Sequence, residues 1–144
     1  MKLINYGRQH ISNSDIKSVA QVLRSDYLTQ GPYVYKFEKE LKGKFGSKFC
    51  TAVANGSAAL HLLGLALGWK KNDIILTTPL SFVATSNCIL HTGATPIFVD
   101  IDEETGNICP KKIIQKIKVL KSKRKRIKAI IAIDYGGMPS KWAD

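Results

Sequence analysis

The amino-acid sequence predicts an α/β fold, a three-layer sandwich with a mostly parallel sheet between helical layers. Two observations carry this expectation. Short apolar runs alternate with longer stretches of helical period along the 144 residues. The runs ILTT, PIFV and AIIAI are also apolar throughout rather than alternating, as strands are when helices cover both faces.

Taken in order, Asn13 or Ser14 is expected to cap a helix over residues 15–25, with Ile16, Val19, Ala20 and Leu23 on one apolar face. A loop rich in hydrogen-bonding side chains runs from Tyr27 to Pro32, and a second helix over 34–44 stops at Gly46. Residues 49–54 read as a short buried strand, followed at once by Asn55, Gly56, Ser57 and a helix through Leu67. Residues 73–77 read as a second strand ending in Thr78 and Pro79, with a helix over 81–92. A third strand covers 95–100, a helix 110–120 and a fourth strand 128–133. The crossovers are long enough for parallel pairing. After a turn at Tyr135, Gly136 and Gly137, residues 140–144 read as a cap plus one helical turn. One turn is not stable alone, and a four-stranded sheet ending there leaves an apolar edge uncovered. The sequence therefore reads as the front part of a longer protein.

Composition narrows the function classes. With 44% apolar and 23% charged residues, the chain is an ordinary globular sequence of single-domain size. Its longest apolar run, residues 58–67, is too short to span a bilayer, and the N-terminus holds no readable signal peptide. Cys50, Cys88 and Cys109 are scattered and odd in number, unlike a disulfide framework or a cysteine-rich metal site. A cytoplasmic location is expected. The net charge of +11 is local: residues 111–128 hold ten Lys or Arg and no acid, leaving twelve bases against eleven acids elsewhere. Ile113, Ile114, Ile117 and Leu120 give that block one apolar helical face, so it reads as a solvated surface helix and connector. Aromatic interleaving and zinc-finger spacing are lacking, so nucleic acid is not an expected partner.

Ligands of α/β sheets sit beyond the carboxyl ends of the strands, and three such ends are informative. Asn55, Gly56, Ser57 and Ala58 lie between a strand and a helix, where a small residue, a hydroxyl and the positive end of the helix form an anion cradle suited to a phosphate. Phe82 falls at a helix start, where an aromatic can stack on a planar ring or simply join the core. Asp134 and Tyr135 end a strand, where the acid can also serve only to cap the turn. Together these ends point to a planar ligand bearing phosphate. His61 reads as a packing residue inside an apolar helix, His10 and His91 lack neighbours at metal-ligand spacing, and Asp100, Asp102, Glu103 and Glu104 read as a strand exit and turn. No metal site is expected. GxSxG, HExxH, Walker A and GxGxxG patterns are absent from the sequence.

Four stretches, LTQGPYVYKFEKEL, VANGSAALHLLGLALG, ILTTPLSFVATSNCILHTGATPIFVDID and AIIAIDYGGMP, give the chain a family resemblance over nearly its whole length. It resembles the DegT-type sugar aminotransferases, fold-type-I enzymes that use pyridoxal phosphate on nucleotide-linked keto sugars. TTPLSFVAT and IDYGG look most like the branch making 4-amino sugars for pseudaminic or legionaminic acid. The resemblance implies that Ser57 and Ala58 hold the cofactor phosphate, that Phe82 lies against the pyridine ring with Thr85 nearby, and that Asp134 and Tyr135 lie below it. It implies that Thr29, Gln30 and Gly31, with Leu28 and Pro32, line the sugar side of the cleft. It divides the chain into an N-terminal helix and active-site loop, 1–31, and the first part of the cofactor-binding large domain, 32–144. The family's cofactor-anchoring lysine, its pyridinium-pairing carboxylate and a second phosphate-binding serine match nothing in this sequence. No catalytic residue is therefore assigned, and the 144 residues are expected to be inactive alone.

The whole protein implied by the resemblance moves an amino group from an amino acid, glutamate in this family, to a nucleotide-linked keto sugar, and builds its sites as a homodimer. Two other readings stand beside it: a non-catalytic remnant that binds a phosphate ligand or a subunit, and a dehydratase of the same family that uses histidine in place of the lysine.

Overall fold

A computed structural model describes residues 7–141, and the chain divides into two compact units, Met1–Ala52 and Val53–Asp144. The expected helix start at 140–144 falls mostly outside the described residues.

The first unit holds α1 (Asn13–Leu23) and α2 (Pro32–Phe45). The N-cap of α1 is Ser12, not Asn13 or Ser14, because Ser12 and Asp15 are spaced for a reciprocal capping box. Asp15 receives the Ser12 N–H at 2.7 Å, and the Ser12 hydroxyl receives the Asp15 N–H at 3.3 Å. Helix α2 begins on Pro32, whose missing N–H costs nothing in the first turn, and stops at Gly46 in the left-handed region, φ 63°. Neither helix buries a residue.

The strand expected at 49–54 does not form. A strand exists only through ladder bonds to a neighbour, and no described segment pairs with this stretch. Phe49 is instead 86% exposed, and the Ala52 N–H donates to the Glu38 carboxylate at 2.8 Å.

The second unit alternates helix and strand: α3 (Gly56–Ala66), β1 (Ile74–Thr77), α4 (Ala84–His91), β2 (Thr95–Phe98), α5 (Pro110–Ser122) and β3 (Ile127–Ile130), then a short 3-10 turn, Tyr135–Gly137. The sheet is parallel and three-stranded in the order β2-β1-β3, with Ile74 opposite Thr95 and Ile127. A register shift opposite Ile74 and Ile75 bends the β3 pairing.

Successive side chains of β1 feed opposite faces, the period-2 consequence of strand geometry. Ile75 joins Trp69, Cys88, Ile89 and Ala94, with Leu60 of α3 packed against them. Ile74 and Leu76 join Val99, Ile108 and Leu120, with Ile113 and Ile117 of α5 alongside. Helices thus cover both faces, and β1 is buried along its whole length. Strands β2 and β3 are only half-buried, since each forms an edge among the described residues. Gly64 lets the Trp69 ring lie against α3, because a Cβ there would sit 2.7 Å from Trp69 Cε3. On α5 the buried residue is Leu120, whereas Ile114 remains 46% exposed.

Candidate functional site

Parallel pairing sets the carboxyl ends of β1 and β3 at one edge of the sheet. The short link from α3 into β1, closed by a Trp69 N–H to Gly64 carbonyl bond of 3.0 Å, brings the end of α3 to the opposite edge. The amino end of α3 therefore points toward the carboxyl edge, where an anion gains most from it.

At that amino end Asn55 is the N-cap, and its Oδ1 accepts the Ala58 N–H at 2.9 Å. The Ala59 N–H bonds the Asn55 carbonyl at 3.1 Å. Among the described residues the N–H groups of Gly56 and Ser57 and the Ser57 hydroxyl have no partner, and both residues are exposed. Three open donors thus stand at the positive end of a helix. Ala58 contributes its place in the turn, while its N–H is already committed to the cap.

At the end of β1, Thr77 and the following Thr78 are fully buried, and the Thr77 hydroxyl donates to the Ile131 carbonyl at 3.1 Å. This bond ties the β1 exit to the chain leaving β3. Phe82 lies just before α4 and is 75% exposed, so it is not a core residue within this unit. Its carbonyl accepts the Thr85 N–H at 3.0 Å, which fixes the turn into α4. Thr85 is buried in the first turn of α4, and its carbonyl receives the Cys88 thiol at 3.1 Å. Burial pushes the Cys88 thiol above its ordinary pKa, so this cysteine is a packing residue rather than a nucleophile.

Asp134 and Tyr135 follow β3. Asp134 Oδ1 accepts the Ser140 N–H at 2.8 Å, so this carboxylate closes the turn around Tyr135–Gly137. The Tyr135 N–H donates to Asn107 Oδ1, and Asn107 Nδ2 donates to the Met138 carbonyl, both at 2.8 Å. Asn107 is buried and clamps the loop that carries Asp134 and Tyr135, a role that its place after an acidic turn did not signal. Gly106, at φ 73°, brings the same turn against Tyr135: a Cβ would lie 3.0 Å from Tyr135 Cδ1 and 3.5 Å from Leu80 Cδ2. Leu80, Gly106 and Tyr135 therefore meet at the carboxyl edge.

Asp100 and Asp102 are committed to local structure. Asp102 accepts the Glu104 and Thr105 N–H groups at 3.1 and 3.2 Å, and the Thr105 N–H holds its carboxyl below the usual range. Asp100 accepts Lys112 Nζ at 2.8 Å, which lowers the Asp100 pKa and raises that of Lys112. His61, expected as a packing residue, meets His91 edge to face at 5.3 Å in a contact between α3 and α4. No group of three or more possible metal ligands occurs among the described residues, and no described helix is long and apolar enough to cross a membrane.

In the first unit, Thr29 and Gln30 are exposed and Gly31 is the N-cap of α2. Gln30 adopts φ 50°, a left-handed conformation uncommon for a residue other than glycine. Gly31 is required by proximity, since a Cβ would lie 2.7 Å from Tyr27 Cβ.

Residues 9–143 match the DegT/DnrJ/EryC1/StrS aminotransferase family, and the chain belongs to that family. It is 39% identical over 135 residues to the UDP-4-amino-4,6-dideoxy-N-acetyl-beta-L-altrosamine transaminase of Campylobacter jejuni, covering 94% of this chain and 35% of that protein. Among solved structures, it superimposes with a TM-score of 0.80 and 34% identity on Helicobacter pylori PseC, an aminotransferase involved in pseudaminic acid biosynthesis, over 97% of this chain and 36% of that one. NtdA of Bacillus subtilis, solved with bound pyridoxamine phosphate, matches with a TM-score of 0.77 and 30% identity over 91% of this chain and 30% of its own. The chain spans about a third of the length of the curated relatives it matches. Pyridoxal phosphate is the cofactor of the family's aminotransferases.

Proposed function

We propose that this chain is the cofactor-phosphate-binding front part of an aminotransferase that moves an amino group from an amino acid, glutamate, to a nucleotide-linked keto sugar for surface glycan synthesis, acting as a homodimer. The observation that carries the reading is the set of open donors at Gly56 and Ser57, at the amino end of α3 and facing the carboxyl edge of the sheet. That donor set fits a phosphate dianion, and the exposed Phe82 ring fits a planar heterocycle.

Ser57 binds a phosphate oxygen through its hydroxyl and, with Gly56, through backbone N–H groups. Phe82 stacks on the pyridine ring and limits its tilt, with Thr85 holding the turn beneath it. Asn107 positions the loop of Asp134 and Tyr135 at the same edge. Thr29, Gln30 and Gly31 bind the sugar nucleotide. Pyridoxal phosphate, when bound, supplies the electron sink that lets an amino group pass between two carbons. The anchoring lysine matches no position among the 144 residues, so these residues alone hold the cofactor but do not transaminate.

The test uses the whole protein with Ser57→Ala, following cofactor binding by absorbance and amination of a UDP-linked 4-keto sugar with glutamate. Removing one hydrogen bond to a charged group costs about 1.5–3 kcal/mol, so cofactor affinity should fall roughly 10- to 100-fold. Unchanged affinity would remove Ser57 from the phosphate site. Loss of a sugar hydroxyl without gain of nitrogen would replace amination by the dehydratase reading.

A further inference from the structure

We propose a second anion site at the opposite, amino-terminal edge of the sheet, where a cavity of about 660 Å³ takes a compact polyphosphate such as a di- or triphosphate group. It is bounded by Lys70 and Lys71 from the α3–β1 link and by Lys123, Arg124, Lys125 and Arg126 from the α5–β3 link. The two groups are about fifty residues apart in sequence and meet because both links enter neighbouring parallel strands from the same edge. A solvated helix face accounts for the basic block taken alone, but not for Lys70 and Lys71 lining the same cavity.

Among the described residues these charges have no salt-bridge partner. The acid lining the cavity, Asp73, is 4% exposed and accepts the Lys70 N–H at 3.2 Å, so it serves the turn rather than the rim. Among the described residues the one ion pair is Lys112–Asp100, outside the cavity, and none of the six cations takes part in it. Six like charges around one space repel each other until an anion enters.

Arg124 adds an independent sign. It adopts φ 54° just past the end of α5, where its N–H bonds the Lys121 carbonyl at 2.9 Å and the Lys125 N–H bonds the Leu120 carbonyl at 3.0 Å. Glycine is the unstrained residue for such a helix stop, yet the chain places a guanidinium there. The volume suits a small ligand, and no aromatic side chain lines the cavity to stack nucleobases. A free polyphosphate is therefore favoured over single-stranded nucleic acid. The candidate cofactor residues lie at the other edge of the sheet, so the two ligands do not compete.

The test is calorimetric titration of the intact protein with inorganic triphosphate at constant ionic strength. The variants are Lys70→Gln with Lys71→Gln, Lys123→Gln with Lys125→Gln, and Arg124→Gly. Each should weaken triphosphate at least tenfold while leaving cofactor absorbance unchanged. Arg124→Gly should at the same time raise the thermal midpoint, separating a ligand role from a structural one. Unaltered affinity in the Lys70/Lys71 variant would overturn the proposal, because binding would then reside in the local basic tract. Equal displacement by sulfate at matched ionic strength, or tighter binding of an oligothymidylate, would overturn it as well.

Discussion

In Val53–Asp144, two apolar clusters back the two faces of a short sheet, and four consecutive residues of β1 are buried. In Met1–Ala52, two well-terminated helices bury nothing, and Ile16, Val19 and Leu23 of α1 are 58–65% exposed. The two regions show separate ways of specifying structure. In Met1–Ala52, capping and turn residues set helix ends through bonds within three to five residues. In Val53–Asp144, packing across the sheet supplies the free energy, and local signals choose only where each element begins.

The largest effect that would test this contrast is Leu76→Ala. A fully buried leucine lost from a two-sided core should cost about 2–5 kcal/mol in urea unfolding. Phe37→Ala in α2, where the ring is 54% exposed, should cost under about 1 kcal/mol on surface-burial grounds. Equal costs would break the contrast and show that the α2 face is packed in solution.

Gly64→Ala comes next. Its new methyl would meet the Trp69 ring at 2.7 Å and Thr92 Cγ2 at 3.1 Å, so about 1–3 kcal/mol of overpacking is expected, with altered Trp fluorescence. The counterpart in the first unit is Ser12→Ala, which removes an N-cap and should cost about 1 kcal/mol, read as lost helical dichroism. This loss should depend on pH. Asp15 is held below its ordinary value of 3.8 by the Ser12 backbone N–H and then by the Ser12 side chain. A depressed folded pKa gives stability that is fully present above the unfolded value and disappears as pH falls through the folded one. The difference between Ser12→Ala and the native chain should therefore narrow as pH drops below 3.8, and a constant difference would show that the carboxylate is not part of the cap. The smallest effect is Gln30→Gly, which relieves a left-handed φ of 50° and should shift stability by less than about 1 kcal/mol, detected as slowed amide exchange in the 27–31 loop.

Features carried by neighbouring residues were legible before any coordinates. Gly46 ends α2, Asp102 builds its turn, and Asn55, Gly56 and Ser57 stand at a helix start, whereas α2 begins at Pro32, two residues before the expected start, because a proline lacking an N–H fits the first turn. The cap of α1 lies one or two positions before the expected Asn13 or Ser14 because Ser12, Asn13 and Ser14 are all capping residues, and only the Asp15 carboxylate distinguishes among them. Nothing local to Asn107 signals its role, because its partners, Tyr135 and Met138, are about thirty residues away. Residues 49–54 carry an apolar strand pattern, but a pattern supplies no ladder partner, and none is present among the described residues.

The sequence by itself determined the α/β alternation, the stop of α2 at Gly46, the family and the open donors at the start of α3, because each rests on short-range hydrogen bonding or on local residue order. Tertiary structure alone decided which apolar runs become strands, that Leu120 rather than Ile114 enters the core, and that Lys70 and Lys71 line the same cavity as Lys123 through Arg126. Those outcomes depend on strand order and register, which bring together residues far apart in the chain, and no local pattern encodes that distance.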